Sequence, residues 1–183
     1  LDDSFSDSKI RVNYGSRGRD MSWNVEAGFR QQNFNWYGLP LISINNAEAN
    51  NINGDHSFYG IDFGGDVTLE NNYINSGSFL FRRFGDNQGS GENRFIVKSS
   101  FDIPINREEI STEFVFDYLN GAFDRNYLTT DELKYSNFQI GISPKYKLTQ
   151  DDLTVNIGLT AYYLNDTEMN DSKFYIYPNV TAS

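Results

Sequence analysis

The 183-residue chain carries 25 acidic against 15 basic side chains, a net charge of −10, with one histidine and no cysteine. That charge argues against a nucleic-acid partner, because a phosphate backbone is bound by clusters of Lys and Arg that displace its counterions, and the lack of cysteine excludes disulfides, thiolate metal sites and cysteine nucleophiles. Aromatics make up 16% of the residues while mean hydropathy is −0.57, a combination that suits an apolar outer face with aromatic girdles around a polar interior and equally a soluble β-rich module that binds sugars.

Leu1-Asp2-Asp3 shows neither a starting Met nor a signal peptide, so the N-terminus reads as processed, trimmed or simply not the real start. Ile10, Val12 and Tyr14 form a short alternating run, followed by a turn near 16–21. Trp23, Val25, Ala27 and Phe29 then alternate with Asn24, Glu26, Gly28 and Arg30, the period-two signature of a strand with one apolar face. After a long polar loop near 32–55, Tyr59, Ile61, Phe63, Val67 and Leu69 oppose Gly60, Asp62, Gly64, Asp66 and Thr68. A tight turn at 70–72 leads into a strand near Tyr73 to Arg83, whose facing the pattern does not assign.

Beyond a loop near 84–93, Phe95, Val97, Phe101 and Ile103 alternate with Arg94, Lys98, Ser100 and Asp102. A turn at 104–109 joins them to Ile110, Thr112, Phe114, Phe116 and Tyr118, which oppose Ser111, Glu113 and Asp117. Past a loop near 120–134 comes the clearest hairpin. Phe138, Ile140, Ile142, Pro144, Tyr146 and Leu148 oppose Asn137, Gln139, Gly141, Ser143, Lys145 and Lys147. A turn at 149–152 then leads to Leu153, Val155, Ile157, Leu159, Ala161 and Tyr163, alternating with Thr154, Asn156, Gly158, Thr160 and Tyr162. A loop near 165–172 precedes Phe174, Ile176, Val180 and Ala182, set against Tyr175, Tyr177, Asn179 and Thr181.

Short turns and longer polar loops thus alternate along the chain. An up-and-down antiparallel meander with its short turns at one end has this order, as outer-membrane barrels do. The expected fold is all-β: residues 1–183 as one segment of a transmembrane β-barrel, with about nine strands, in the bacterial outer membrane and in contact with its lipid. No apolar run reaches the length of a membrane-crossing helix. The odd strand count, and the last alternation still running at Val180-Thr-Ala-Ser183, imply part of a larger barrel.

Candidate sites follow from the faces. Glu26, Arg30, Asp62, Asp66, Arg94, Lys98, Glu113 and Asp117, together with Lys145 and Lys147, form a mixed-charge wall expected to face the lumen. In Asn33-Phe-Asn-Trp-Tyr-Gly-Leu-Pro40, the rings of Phe34, Trp36 and Tyr37 suit either a ligand- or partner-stacking outer loop or an interfacial aromatic girdle. Asp55-His56-Ser57 has the residue types of a nucleophilic relay, yet neighbours on a strand point to opposite faces. The acidic loop Asn165–Asp171 lacks the Gly and terminal Glu of a calcium loop, and the glycine-rich 85–93 opens no helix that would cradle phosphate. No catalytic constellation, metal or cofactor is expected.

Asn93-Arg-Phe95, Phe123-Asp-Arg125, Asp131-Glu-Leu-Lys-Tyr135 and Lys173-Phe-Tyr-Ile-Tyr-Pro178 carry a further signal. Through them the C-terminal half resembles the barrel portions of TonB-dependent receptor-like outer-membrane proteins of the Bacteroidetes group. The resemblance implies a barrel of about 22 strands, a plug domain, and energised uptake of a nutrient such as a metal chelate, glycan or peptide. No plug or TonB-contacting segment lies within these residues. A plug-less accessory barrel that binds other envelope proteins is therefore the alternative, and a soluble glycan-binding module the second.

Overall fold

A computed structural model describes residues 5–35, 55–70, 73–105, 108–124, 131–150 and 153–182. Every regular element among them is a strand: β1 (Phe5–Arg17), β2 (Met21–Asn35), β3 (Asp55–Leu69), β4 (Ile74–Asp86), β5 (Gly91–Ile105), β6 (Glu108–Phe123), β7 (Leu133–Gln150), β8 (Leu153–Asp166) and β9 (Asp171–Ala182). They form one antiparallel sheet in sequence order, β1 to β9. The sheet is open, for β1 pairs only with β2 and β9 only with β8.

The register separates most of the chain's apolar side chains from most of its charged ones. Residues paired across an antiparallel ladder share a face, so one rung can be followed from edge to edge: Tyr14, Val25, Gly65, Phe79, Val97, Phe116, Ile140, Tyr163 and Phe174. It crosses all nine strands without a charge. The charged side chains described on this apolar face are Asp55, Arg83 and Lys134, all toward the end where β2 leaves and β3 enters. Phe63 lies against Phe79 at 5.4 Å, and Phe95, Phe116, Phe138 and Tyr163 continue a chain of ring contacts at 6.0 to 6.5 Å.

The apolar band also runs obliquely to the rungs. The rung through Val12, the centre of the apolar run in β1, reaches β9 at Ser172, outside that strand's run from Phe174 to Ala182. Strands tilted against a level band produce such stagger, as the shear of a barrel wall does.

No hydrophobic side chain among the described residues is buried. The buried positions are Ser136 and glycines lying under cross-strand neighbours. At Gly141 a Cβ would meet the Tyr162 ring at 2.4 Å and Val115 at 2.6 Å, and at Gly121 the Tyr135 ring at 2.4 Å. Glycine there lets each tyrosine lie flat on the sheet, a device that restores apolar cover to a bare strand position.

The strand called unassignable resolves into Phe79 and Phe81 on the apolar face and Leu80 and Arg82 on the other. A register shift between Ile74 and Ser76 breaks the alternation that would have assigned it. Two of the expected long loops contract to four residues, 87–90 and 167–170, because the polar ends of β4, β5, β8 and β9 continue the ladder. Asp86 closes the first by accepting the N–H groups of Gln88 and Ser90 at 2.9 and 2.8 Å, and Gly89 takes a φ of +93° that favours glycine. Asp166 does likewise for Glu168 and Met169 at 3.1 and 3.0 Å, with Asn170 at φ +53°. The sorting by end persists. The chain passes from β1 to β2, β3 to β4, β5 to β6 and β7 to β8 at one end of the sheet, and from β2 to β3, β4 to β5, β6 to β7 and β8 to β9 at the other.

Candidate functional site

All ten expected wall residues fall on the polar face, and the register joins most of them through ion pairs. Arg30 grips Asp7 with both arms of its guanidinium, Nε to Oδ1 at 3.0 Å and Nη2 to Oδ2 at 2.6 Å. Arg94 does the same to Asp117 at 3.0 and 2.6 Å. Lys145 donates to Glu113 at 2.6 Å. Glu26 and Asp62 share Arg11, at 3.9 and 3.3 Å. Asp66 and Lys98 line a common cleft, and Lys147 extends the face toward the short turns. Because these groups are largely exposed, each pair adds little stability. What they do is order a hydrophilic wall.

Two long-range bonds depend on an intervening glycine. Arg11 on β1 reaches Asp62 on β3 across Gly28, where a Cβ would lie 2.5 Å from the carboxylate. The Tyr135 hydroxyl on β7 reaches Glu92 on β5 at 2.5 Å across Gly121. In both, the middle strand has no side chain in the way, so its neighbours meet above it. Asp7, Arg11, Arg82 and Glu92 were missed by the pattern reading. The signal was present in β1, where Asp7, Lys9 and Arg11 alternate with Ser8 and Ile10.

Among the clefts that indent this face, two are bordered by most of these charged groups. One, of about 360 Å³, is bordered by Lys9, Arg11, Arg30, Asp62, Arg82 and Glu92. The other, of about 570 Å³, touches Asp66 on β3, Ser78 on β4, Lys98 on β5, Glu113 on β6, Ser143 on β7 and Tyr162 on β8. A single cleft bounded by six successive strands requires this side of the sheet to be concave. On the same side, Tyr162 meets Tyr177 at 6.3 Å and Tyr175 stacks on Tyr177 at 6.4 Å.

The aromatic loop is only partly described. Trp36 and Tyr37 lie outside the described residues. Phe34 belongs to β2 rather than to a loop, and it sits on the polar face. It stacks on His56 at 5.6 Å and Phe58 at 5.5 Å, and Phe58 on Phe84 at 5.6 Å. His56 is therefore held in an aromatic row, while Ser57 lies on the opposite face with its N–H donating to Asn87. Their side chains form no relay.

No protein-family model, curated protein or solved structure matches the chain. Its chemistry is accordingly read from the two faces alone. Among the described residues no three metal-ligating side chains converge.

Proposed function

We propose that this chain forms part of the wall of an outer-membrane β-barrel that carries a nutrient solute, of the TonB-dependent receptor-like kind. The observation that supports the membrane location is the apolar face, which no described residue covers. A soluble sheet of this size would bury that face against a second layer, because exposed apolar patches of more than a few hundred Å² demand a partner. Lipid supplies such cover without a second layer. The concave, mixed-charge face then borders a hydrated interior, as transport barrels require.

Strand parity supports a larger barrel. β1 and β9 run in the same direction, so joining them directly would create one parallel pair in an antiparallel wall. An odd number of additional strands closes the wall with antiparallel pairs throughout. The resemblance of its short motifs to those of TonB-dependent receptor-like proteins is what suggests uptake as the role.

The test is fractionation of cells that make the full-length polypeptide, followed by the intact mass of the detergent-extracted species. Retention in the outer membrane through an alkaline wash, with a mass several-fold above 21.0 kDa, is the expected result. A protein that stays in solution without detergent contradicts the proposal and favours the β-rich binding module. A membrane barrel that lacks a plug and co-purifies with other envelope proteins would overturn the transport role in favour of an accessory one.

A further inference from the structure

We infer that the cleft around Arg82 binds an oxyanion, the carboxylate or phosphate group of a small solute. Arg82 lies on β4, on the polar face, between Asp62 of β3 and Arg94 of β5. Neither neighbour satisfies it. Asp62 accepts from Arg11 on its far side, at 3.3 and 3.4 Å, and the Arg94 fork is occupied by Asp117. The rung Arg11, Gly28, Asp62, Arg82, Arg94 therefore carries three guanidinium groups and one carboxylate.

Of the remaining acids nearby, Asp7 accepts both arms of Arg30, while Glu92 accepts the neutral Tyr135 hydroxyl and keeps its charge. Lys9, Arg11, Arg30 and Arg82 still outnumber Asp62 and Glu92 around the cleft. Among the described residues Arg82 has no hydrogen-bond or ion-pair partner, while Lys9 and Arg30 border the same cleft. A chain of net charge −10 thus gathers a local surplus of positive charge around one unengaged fork of N–H donors. Such a fork matches the paired oxygens of a carboxylate or phosphate, and the match is charge-assisted. At about 360 Å³ the cleft holds a small molecule or the acidic end of a larger one. That the ligand is a solute rather than a lipid headgroup rests on reading this face as the barrel interior.

The experiment is calorimetric titration of the full-length protein in neutral detergent, using inorganic phosphate, succinate and, as an uncharged control, glucose. Saturable binding of phosphate or succinate, weakening as salt rises, is expected, and whichever binds more tightly identifies the acidic group. Arg82→Gln should weaken it about tenfold or more. Arg82→Lys, which keeps the charge but not the fork, should fall between. Lys173→Gln, exposed on β9 and away from the cleft, should bind like the parent, and unchanged thermal midpoints show that the variants fold. Absence of saturable binding, or equal binding by the parent and Arg82→Gln, overturns the site. Fractionation reports on the barrel separately. A membrane protein that binds no anion defeats the site alone, and a soluble one that binds phosphate through Arg82 defeats the barrel alone.

Discussion

At Gly141 the sheet has space for no side chain at all. Its opposing neighbour Tyr162 and, from the other strand, Val115 both close over the position. Val115 is β-branched and stiff about χ1, so it yields little. Gly141→Ala should destabilise the folded state by about 1–3 kcal/mol through overpacking, read as a lowered midpoint in denaturant. Gly60→Ala is the contrast on the same face, because a Cβ there would find its nearest atom at 4.0 Å. It should change stability by no more than about 0.5 kcal/mol. Equal losses at the two positions would mean that glycine serves backbone conformation rather than cross-strand cover. Removing the Asp86 side chain should cost about 1 kcal/mol, because the N–H groups of Gln88 and Ser90 lose their acceptor.

Along one strand, adjacent residues should answer to different solvents. Phe116 and Asp117 are neighbours on β6, yet the first joins the chain of rings on the apolar face and the second holds Arg94 on the polar one. Phe116→Lys should cost about 2–4 kcal/mol if its face meets the middle of a bilayer. Asp117→Asn should cost under about 1 kcal/mol, since the Arg94 it releases remains solvated. Unfolding of the reconstituted protein in denaturant measures both.

The alternation in β7 and β8 made those strands legible from sequence, because a strand with one apolar and one polar face repeats its chemistry every second residue. Two features defeated the same reading. In β4 the shift at Ile74 and Ser76 changes phase, and the adjacent Arg82 and Arg83 cannot share a face. Arg83 is the one turned to the apolar side, at the band's margin, where it donates to Asn93 at 3.0 Å and to Tyr59 at 3.3 Å. The other failure was at strand ends such as Gly91-Glu92-Asn93, whose polar residues resemble a loop while still pairing with β4 and β6. Backbone hydrogen bonding continues past the point where the hydrophobic signal stops. The mixed-charge wall was legible as a face. Its pairing across Gly28 and Gly121 was not, because that depends on register between strands far apart in sequence.

Across the sheet as a whole, no described residue covers one surface, and the other is lined with charge. That asymmetry makes sense if the first faces hydrocarbon and the second a hydrated interior. The chain has no cysteine of its own, so single cysteines placed at Val97 and Lys98 can report on the two sides one residue apart. The decisive measurement is the accessibility of spin labels at these positions in the full-length protein, reconstituted into phospholipid vesicles. The label at 97 should be relaxed by oxygen dissolved in the lipid and shielded from a water-soluble nickel chelate, and the label at 98 should respond the other way round. If the chelate reaches both labels equally, the apolar face does not lie against lipid and the barrel wall is contradicted.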